Sequence, residues 1–191
     1  NRLQAFLERR APGRDPLFTP RREPDRVTVL SGLVDGVTCG APLCAVIENA
    51  DARSGDYSGL RDLPRPSHAD YPAHVKHGGH NDVRGGGHFS ARLTAPLCIA
   101  GGIALQLLKR RGVRVGGHLE QVGGVADRRF DPMDISAQTL EDLARLPLPV
   151  LNPAAGERMR QRVEEAKSAG DSVGGVVECA AIGLPVGLGE P

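Results

Sequence analysis

Apolar positions near the start of the chain fall at Leu3, Phe6 and Leu7, the spacing of one helical face, and predict a short helix over Arg2–Arg10. A connector holding APG and many arginines then runs to Asp25. Val27–Val34 (VTVLSGLV) and Leu43–Glu48 (LCAVIE) are β-branched or apolar runs around a Gly-containing turn, and predict an antiparallel strand pair. From Asn49 to Gly87 no period is sustained, and Gly, Pro, Asp and Ser are frequent. The segment is expected to be a long loop, and loops of that length inside a domain are usually functional or disordered.

Ser90–Arg111 (SARLTAPLCIAGGIALQLLKRR) is apolar nearly all round and predicts a buried helix. Ser90 is its candidate N-cap, Lys109, Arg110 and Arg111 suit the negative end of its dipole, and Gly112 stops it. Pro96 lies within the first two turns and is expected to bend it, while Gly101 and Gly102 permit a close approach by a neighbour. Val113–Val125 predicts a strand interrupted by Gly-Gly pairs. A short helix around Leu140–Leu146 follows, then a helix opened by Asn152-Pro153 and running to about Lys167. Val173–Ile182 predicts a last strand. Strands and helices come in blocks, so the expected class is α+β.

Composition changes this picture little. The 191 residues suit one domain or part of a larger one, and 40% hydrophobic content supports a core. Aromatics are 3% with no Trp, so Leu, Val, Ile and Ala must build that core. Twenty-four basic against 23 acidic residues argue against a nucleic-acid partner. Arg9, Arg10, Arg14, Arg21 and Arg22 do form a local basic cluster, which fits a solvated face as well as an anion site. Cys39, Cys44, Cys98 and Cys179 form no CxxC pair and read as small core residues of a reduced, intracellular protein. The longest apolar run, Ala95–Leu108, is shorter than the roughly 20 residues of a membrane span, so no membrane partner is expected. The chain starts without Met and stops after GLGEP, as part of a larger protein would.

The chemistry concentrates between Arg65 and Gly102, where five of the six histidines lie. Their irregular spacing, with no Cys nearby, does not suit a metal, and His74, His77 and His80 read as solvated loop residues. GGGHFS before an apolar helix brings bare backbone N–H groups to a helix start, a natural seat for phosphate. Neither the P-loop nor GxGxxG is present. Arg84 and Arg92 flank the turn with guanidinium groups, which bind phosphate or carboxylate in a fork. His68 sits between Arg65 and Asp70, and imidazole is the side chain suited to moving protons near neutral pH.

Taken together, RRAPGR (Arg9–Arg14), TPRREPD (Thr19–Asp25), LSGLVDGVTCGAPL (Leu30–Leu43), DARSGDYS (Asp51–Ser58), RPSHADY (Arg65–Tyr71), DVRGGGHFSARLTAP (Asp82–Pro96) and GLPVGLGEP (Gly183–Pro191) resemble the chorismate synthase family. They run in family order over nearly the whole chain. The resemblance implies a β-α-β sandwich with helices packed between antiparallel sheets, of which residues 1–191 would form part of a single domain. It implies a cytoplasmic homotetramer and a carbon–oxygen lyase of the shikimate pathway. The reaction is a 1,4-anti elimination of phosphate from 5-enolpyruvylshikimate 3-phosphate, giving chorismate for aromatic amino-acid synthesis. Reduced FMN is required without net redox change, and NADPH is a candidate reductant.

By the same resemblance, His68 is the catalytic proton carrier, and Arg10, Arg21, Arg65 and Arg92 meet the substrate's anionic groups. His88, Phe89 and Ser90 fall where the family contacts FMN. Many members carry Arg-Ser-Ser there, so His88 and Phe89 are a variant whose contacts are expected to run through the backbone. The family's GESHG motif, with a second catalytic histidine, and its later RHD motif are absent from these residues. The 191 residues alone are therefore expected to be inactive. The alternative is a non-catalytic flavin- or phosphate-binding remnant of the fold.

Overall fold

A computed structural model describes residues 2–11, 24–49 and 54–189. The chain divides into two compact units, Asn1–Ile103 and Ala104–Pro191.

In the first unit, helix α1 (Arg2–Glu8) buries Leu3 and Leu7, as its spacing predicts. Strands β1 (Val27–Ser31) and β4 (Cys44–Ile47) pair antiparallel, with Val27 opposite Ile47. The predicted single run Val27–Val34 is broken at Gly32, whose φ is +86° and where a Cβ would lie 2.7 Å from the Leu43 Cα. Beyond that break a small hairpin forms from β2 (Leu33–Val34) and β3 (Val37–Thr38). Leu3, Leu7 and Ile99 make the core, with Val27, Ala45, Ile47, Cys98 and Ile103 packed around them. Each such buried side chain contributes about 1.5–3 kcal/mol.

Among its described residues, the stretch expected to be a loop is one only in part. It carries a 3-10 helix at Ser54–Arg61, helix α2 (Asp70–Lys76) and a second 3-10 helix at Arg84–Phe89. These pieces are too short, and 3-10 turns too far from a 3.6-residue period, to leave a hydrophobic pattern.

Helix α3 (Thr94–Arg110) begins later than expected, because Ser90 instead caps a 3-10 turn at Ala91–Leu93 by accepting the Arg92 N–H at 3.3 Å. Pro96 then falls in the first turn, where N–H groups have no intrahelical acceptor, so the ring costs the helix no hydrogen bond. The helix is not buried all round: Ala95, Ile99 and Gly102 form its buried stripe, while Leu97 and Leu107 are exposed. At Gly102 an added Cβ would lie 2.8 Å from both Leu3 and Phe6, so glycine is what lets α1 pack there. With the 3-10 turn, the helical run Ala91–Arg110 reaches 20 residues, long and apolar enough on those grounds to cross a membrane. The apolar core Ala95–Leu108 alone understates that length.

In the second unit β5 (Arg114–Val122) runs unbroken through Gly116 and Gly117. A Cβ at Gly116 would press on Leu140, and one at Gly117 would lie 2.9 Å from the Glu178 carbonyl oxygen, so these glycines admit neighbours rather than interrupt the strand. Gly123 and Gly124, both at positive φ, make the two-residue turn to β6 (Val125–Ala126). β5 also pairs antiparallel with β7 (Gly175–Ile182). Helix α4 (Ala137–Leu143) packs Leu140 and Leu143 with Phe130. Helix α5 (Pro153–Ser168) starts at the predicted cap, where Asn152 Oδ1 accepts the Ala154 N–H at 3.0 Å.

The cysteines depart from expectation. Cys39, Cys44 and Cys179 are exposed and Cys98 is half-buried, and all four are free. Cys39, Cys44 and Cys179 lie at a turn or on strand faces, while Cys98 sits on α3 against the first unit's core.

Candidate functional site

The first unit gathers the sequence-predicted residues. Arg65 and Asp70 close a small loop: the Asp70 carboxylate accepts the Arg65 N–H at 3.0 Å, Nε at 2.8 Å and Nη2 at 2.9 Å. Asp70 is buried in the first turn of α2, where an acidic group suits the helix dipole. The guanidinium fork holds the Asp70 carboxyl down at about 2, and Asp70 in turn raises the Arg65 pKa. His68 lies on the exposed crest of this clamped loop, next to Ser67 at φ +59°, a conformation unusual outside glycine. No hydrogen bond from a described residue fixes the His68 ring.

A second carboxylate gathers two more arginines. Asp25, 2% exposed, ion-pairs with Arg10 Nη1, and its Oδ1 lies 4.0 Å from Arg92 Nη2. Arg10 Nη2 donates to Thr94 Oγ1 at 3.3 Å. Gln4 on α1 pins the strand entrance beside Asp25, accepting the Val27 N–H at 3.1 Å and donating to the Asp25 carbonyl.

The Gly-rich 3-10 helix links the two clusters. Gly86 and Gly87 have φ of +82° and +51°. A Cβ on Gly86 would lie 3.8 Å from Ser90 and 3.9 Å from Arg65 Nη2, while one on Gly87 would strike the Asp82 carbonyl oxygen at 2.8 Å. Bare backbone is therefore what the positive φ values and the approach to Asp82 require, and Arg65 lies within ordinary contact distance of the turn. His88 and Phe89 are exposed with ring centroids 4.0 Å apart.

Arg10, Arg65, Ser90 and Arg92 are thus brought together, with His88 and Phe89 on the adjoining turn; Arg21 lies outside the described residues. Arg84 instead folds back on Asp82, which accepts Nε at 2.9 Å and Nη2 at 2.8 Å and is held at about 2. Four arginines (10, 65, 84 and 92) accompany three aspartates (25, 70 and 82), so the positive wall is largely matched by carboxylate, with one charge of excess.

His74 and His80 are exposed, as expected, although His74 lies on α2 rather than in a loop, and His77, just past the end of α2, is half-buried. Its ring stands edge-on to His88 at 5.6 Å, and its Nε2 is buried without a hydrogen-bond partner among the described residues. No group of three or more metal-ligating side chains occurs among the described residues.

Sequence reasoning missed Asp25 and Thr94. Asp25 closes TPRREPD and Asp35 lies inside LSGLVDGVTCGAPL, both have positive φ, and neither stretch says which arginine its carboxylate meets. Only the fold sets Asp25 against Arg10 and Arg92.

A profile of the chorismate synthase family matches residues 1–191. The chain belongs to the chorismate synthase family. It is 50% identical to the chorismate synthase of Aeropyrum pernix over 97% of this chain and 48% of that protein. It is 45% identical to that of Thermococcus gammatolerans, over 99% of this chain and 51% of the relative. A crystal structure of chorismate synthase has the same fold, with TM-score 0.69 and 24% identity over 96% of this chain and 49% of that one. The α+β class with antiparallel sheets agrees with it. The chain spans about half the length of the curated relatives it matches.

Proposed function

We propose that this chain carries part of the active site of a chorismate synthase, which eliminates phosphate from 5-enolpyruvylshikimate 3-phosphate to give chorismate. The observation that carries the reading is that Asp25 holds Arg10 and Arg92 while Arg65 and Ser90 flank the same Gly-rich turn, in a chain matched throughout by the family. A substrate with a phosphate and two carboxylates needs fixed cations, since anions brought together in a low-dielectric site repel one another. Guanidinium groups held in place by Asp25 and Asp70 supply them without reorganisation, and also stabilise charge developing on departing phosphate.

FMN fits the residues present. The exposed His88–Phe89 ring pair offers a surface for a flat aromatic ring, and Ser90 with the neighbouring arginines offers donors for its phosphate. When bound, reduced FMN would supply the electron density that eases C–O cleavage, with no net redox change. The chain's own work is to hold the anions through Arg10, Arg65 and Arg92 and to carry a proton on the exposed His68 imidazole. Arg21 joins the arginine set, NADPH serves as a reductant, and the working form is a cytoplasmic homotetramer. The 191 residues by themselves are inactive in this account, because GESHG and RHD contribute the rest of the site.

An anaerobic assay of the full-length gene product with 5-enolpyruvylshikimate 3-phosphate and chemically reduced FMN tests this, following chorismate by absorbance. Chorismate formation is expected. FMN binding without product would leave a non-catalytic remnant, and no flavin binding at all would overturn the reading.

A further inference from the structure

We propose that Asp25 is the positioning residue of the anion site, holding the Arg10 and Arg92 guanidinium groups side by side so that together they receive one anionic group of the substrate. The inference rests on the reading above that these arginines meet the substrate.

Asp25 stands at the head of β1 with φ +43°, in the left-handed region that aspartate and asparagine tolerate best after glycine. Gln4 bonds to the backbone on both sides of Arg26, which fixes where the carboxylate points. Oδ2 binds Arg10, while Oδ1 is buried with no hydrogen-bond partner among the described residues and has Arg92 Nη2 at 4.0 Å. Thr94 Oγ1 holds the other end of the Arg10 fork and donates its own proton to the Ala91 carbonyl at 2.8 Å.

Two like charges would part if nothing lay between them, and a buried carboxylate offsets that repulsion. The carboxylate is 1% exposed, yet the Arg10 and Arg92 side chains remain 26% and 34% exposed. Most buried side-chain oxygens are hydrogen-bonded, so the unmet oxygen of Asp25 stands out. Here one oxygen keeps a long, unsatisfied approach to an arginine that still faces solvent.

Asp25→Asn keeps the size and the tolerated backbone but removes the charge. The sign of its effect separates two roles. Deleting a negative charge beside an anion site strengthens anion binding if Asp25 acts only through its charge, so KM would fall. If Asp25 positions the arginines, KM rises. In the full-length enzyme, assayed anaerobically with reduced FMN, Asp25→Asn should raise KM for 5-enolpyruvylshikimate 3-phosphate by about tenfold or more while kcat changes less than about threefold, as removal of uniform binding does. The effect should vanish in an Arg10→Gln background, because residues acting as one unit are not additive. Thr94→Val, which frees one end of Arg10, should raise KM about threefold, and decides the matter if Asp25→Asn fails to fold.

An unchanged or lower KM in Asp25→Asn, full additivity with Arg10→Gln, or an unchanged KM in Thr94→Val would overturn the proposal. The two layers separate cleanly. Chorismate formation that is indifferent to Asp25→Asn removes the positioning role and keeps the function. No chorismate from the wild type, with calorimetric binding of inorganic pyrophosphate weakened by Asp25→Asn, removes the function and keeps the positioning.

Discussion

In the first unit Asp25 and Asp70 are nearly buried, while the side chains of Arg10, Arg65 and Arg92 stay 26%, 29% and 34% exposed. In the second unit His118 is fully enclosed, with Nε2 2.8 Å from Glu178 and Nδ1 3.5 Å from an equally enclosed Asp127. Phe130 stands edge-on to the imidazole and also donates its N–H to Glu178 at 2.8 Å. Asp127 accepts the N–H groups of Leu151 and Asn152, fixing the approach to α5. Both groups pair carboxylates with nitrogen bases; the three arginines keep an open face and the His118 imidazole has none. A pair with such a face can pass its charge to a ligand. An enclosed pair can only join strand, loop and helix.

Substitutions should therefore split by readout. The largest effect is expected at His68: in the full-length enzyme His68→Ala should lower kcat by about 10²- to 10⁴-fold, the usual weight of a general acid or base. Urea unfolding should move by less than about 0.5 kcal/mol, since the ring is exposed. His118→Ala should do the reverse. It strands two carboxylates and removes a ring packed on Phe130, so unfolding free energy should fall by about 3–5 kcal/mol. KM of the folded fraction should stay unchanged, and a raised KM would break the contrast between the units.

Asp70→Asn should cost about 1–3 kcal/mol, the range for a charge-assisted hydrogen-bond pair. Its pH dependence carries a sign. The folded carboxyl sits at about 2, below the unfolded value of about 3.9, so the pair's contribution is complete above about pH 4 and is lost as pH falls through about 2. Acid unfolding of Asp70→Asn should lack that portion of the curve. The smallest effect is expected at Ser136, whose hydroxyl caps α4 by accepting the Thr139 N–H at 3.0 Å. Ser136→Ala should lower unfolding free energy by about 1 kcal/mol, with kcat/KM unaltered.

Much of this was legible in the sequence wherever a local rule decides. The β1–β4 pairing follows from two β-branched runs and α5 from its Asn-Pro start, whereas Val113–Val125 reads as one interrupted strand and is in fact β5 and β6 joined by a turn at Gly123-Gly124. The short helices between 54 and 89 were not legible, because none is long enough to show a period. The one-sided burial of α3 was hidden for another reason. A helix apolar all round says nothing of which stripe finds a partner, and here Gly102 decides it by admitting α1.

The site divides the same way. Arg65, Arg92 and Ser90 announced themselves by lying within one short, charged, Gly-rich stretch. The carboxylates that set their geometry did not, since Asp25 is distant from Arg92 in sequence and Asp70 looked like a neighbour of His68 rather than the anchor of Arg65. His118 carried no signal at all, as a lone histidine in a strand beside a pair of glycines.

The most direct test of the account is the KM for 5-enolpyruvylshikimate 3-phosphate in the full-length Arg92→Gln enzyme, measured anaerobically beside wild type at matched folded fraction. The account predicts a rise of about 10²-fold or more, the weight of a charge-assisted hydrogen bond to the substrate in a desolvated site. An unchanged KM accompanied by a fall in stability would contradict it, and would make the arginines of the first unit as structural as His118 is in the second.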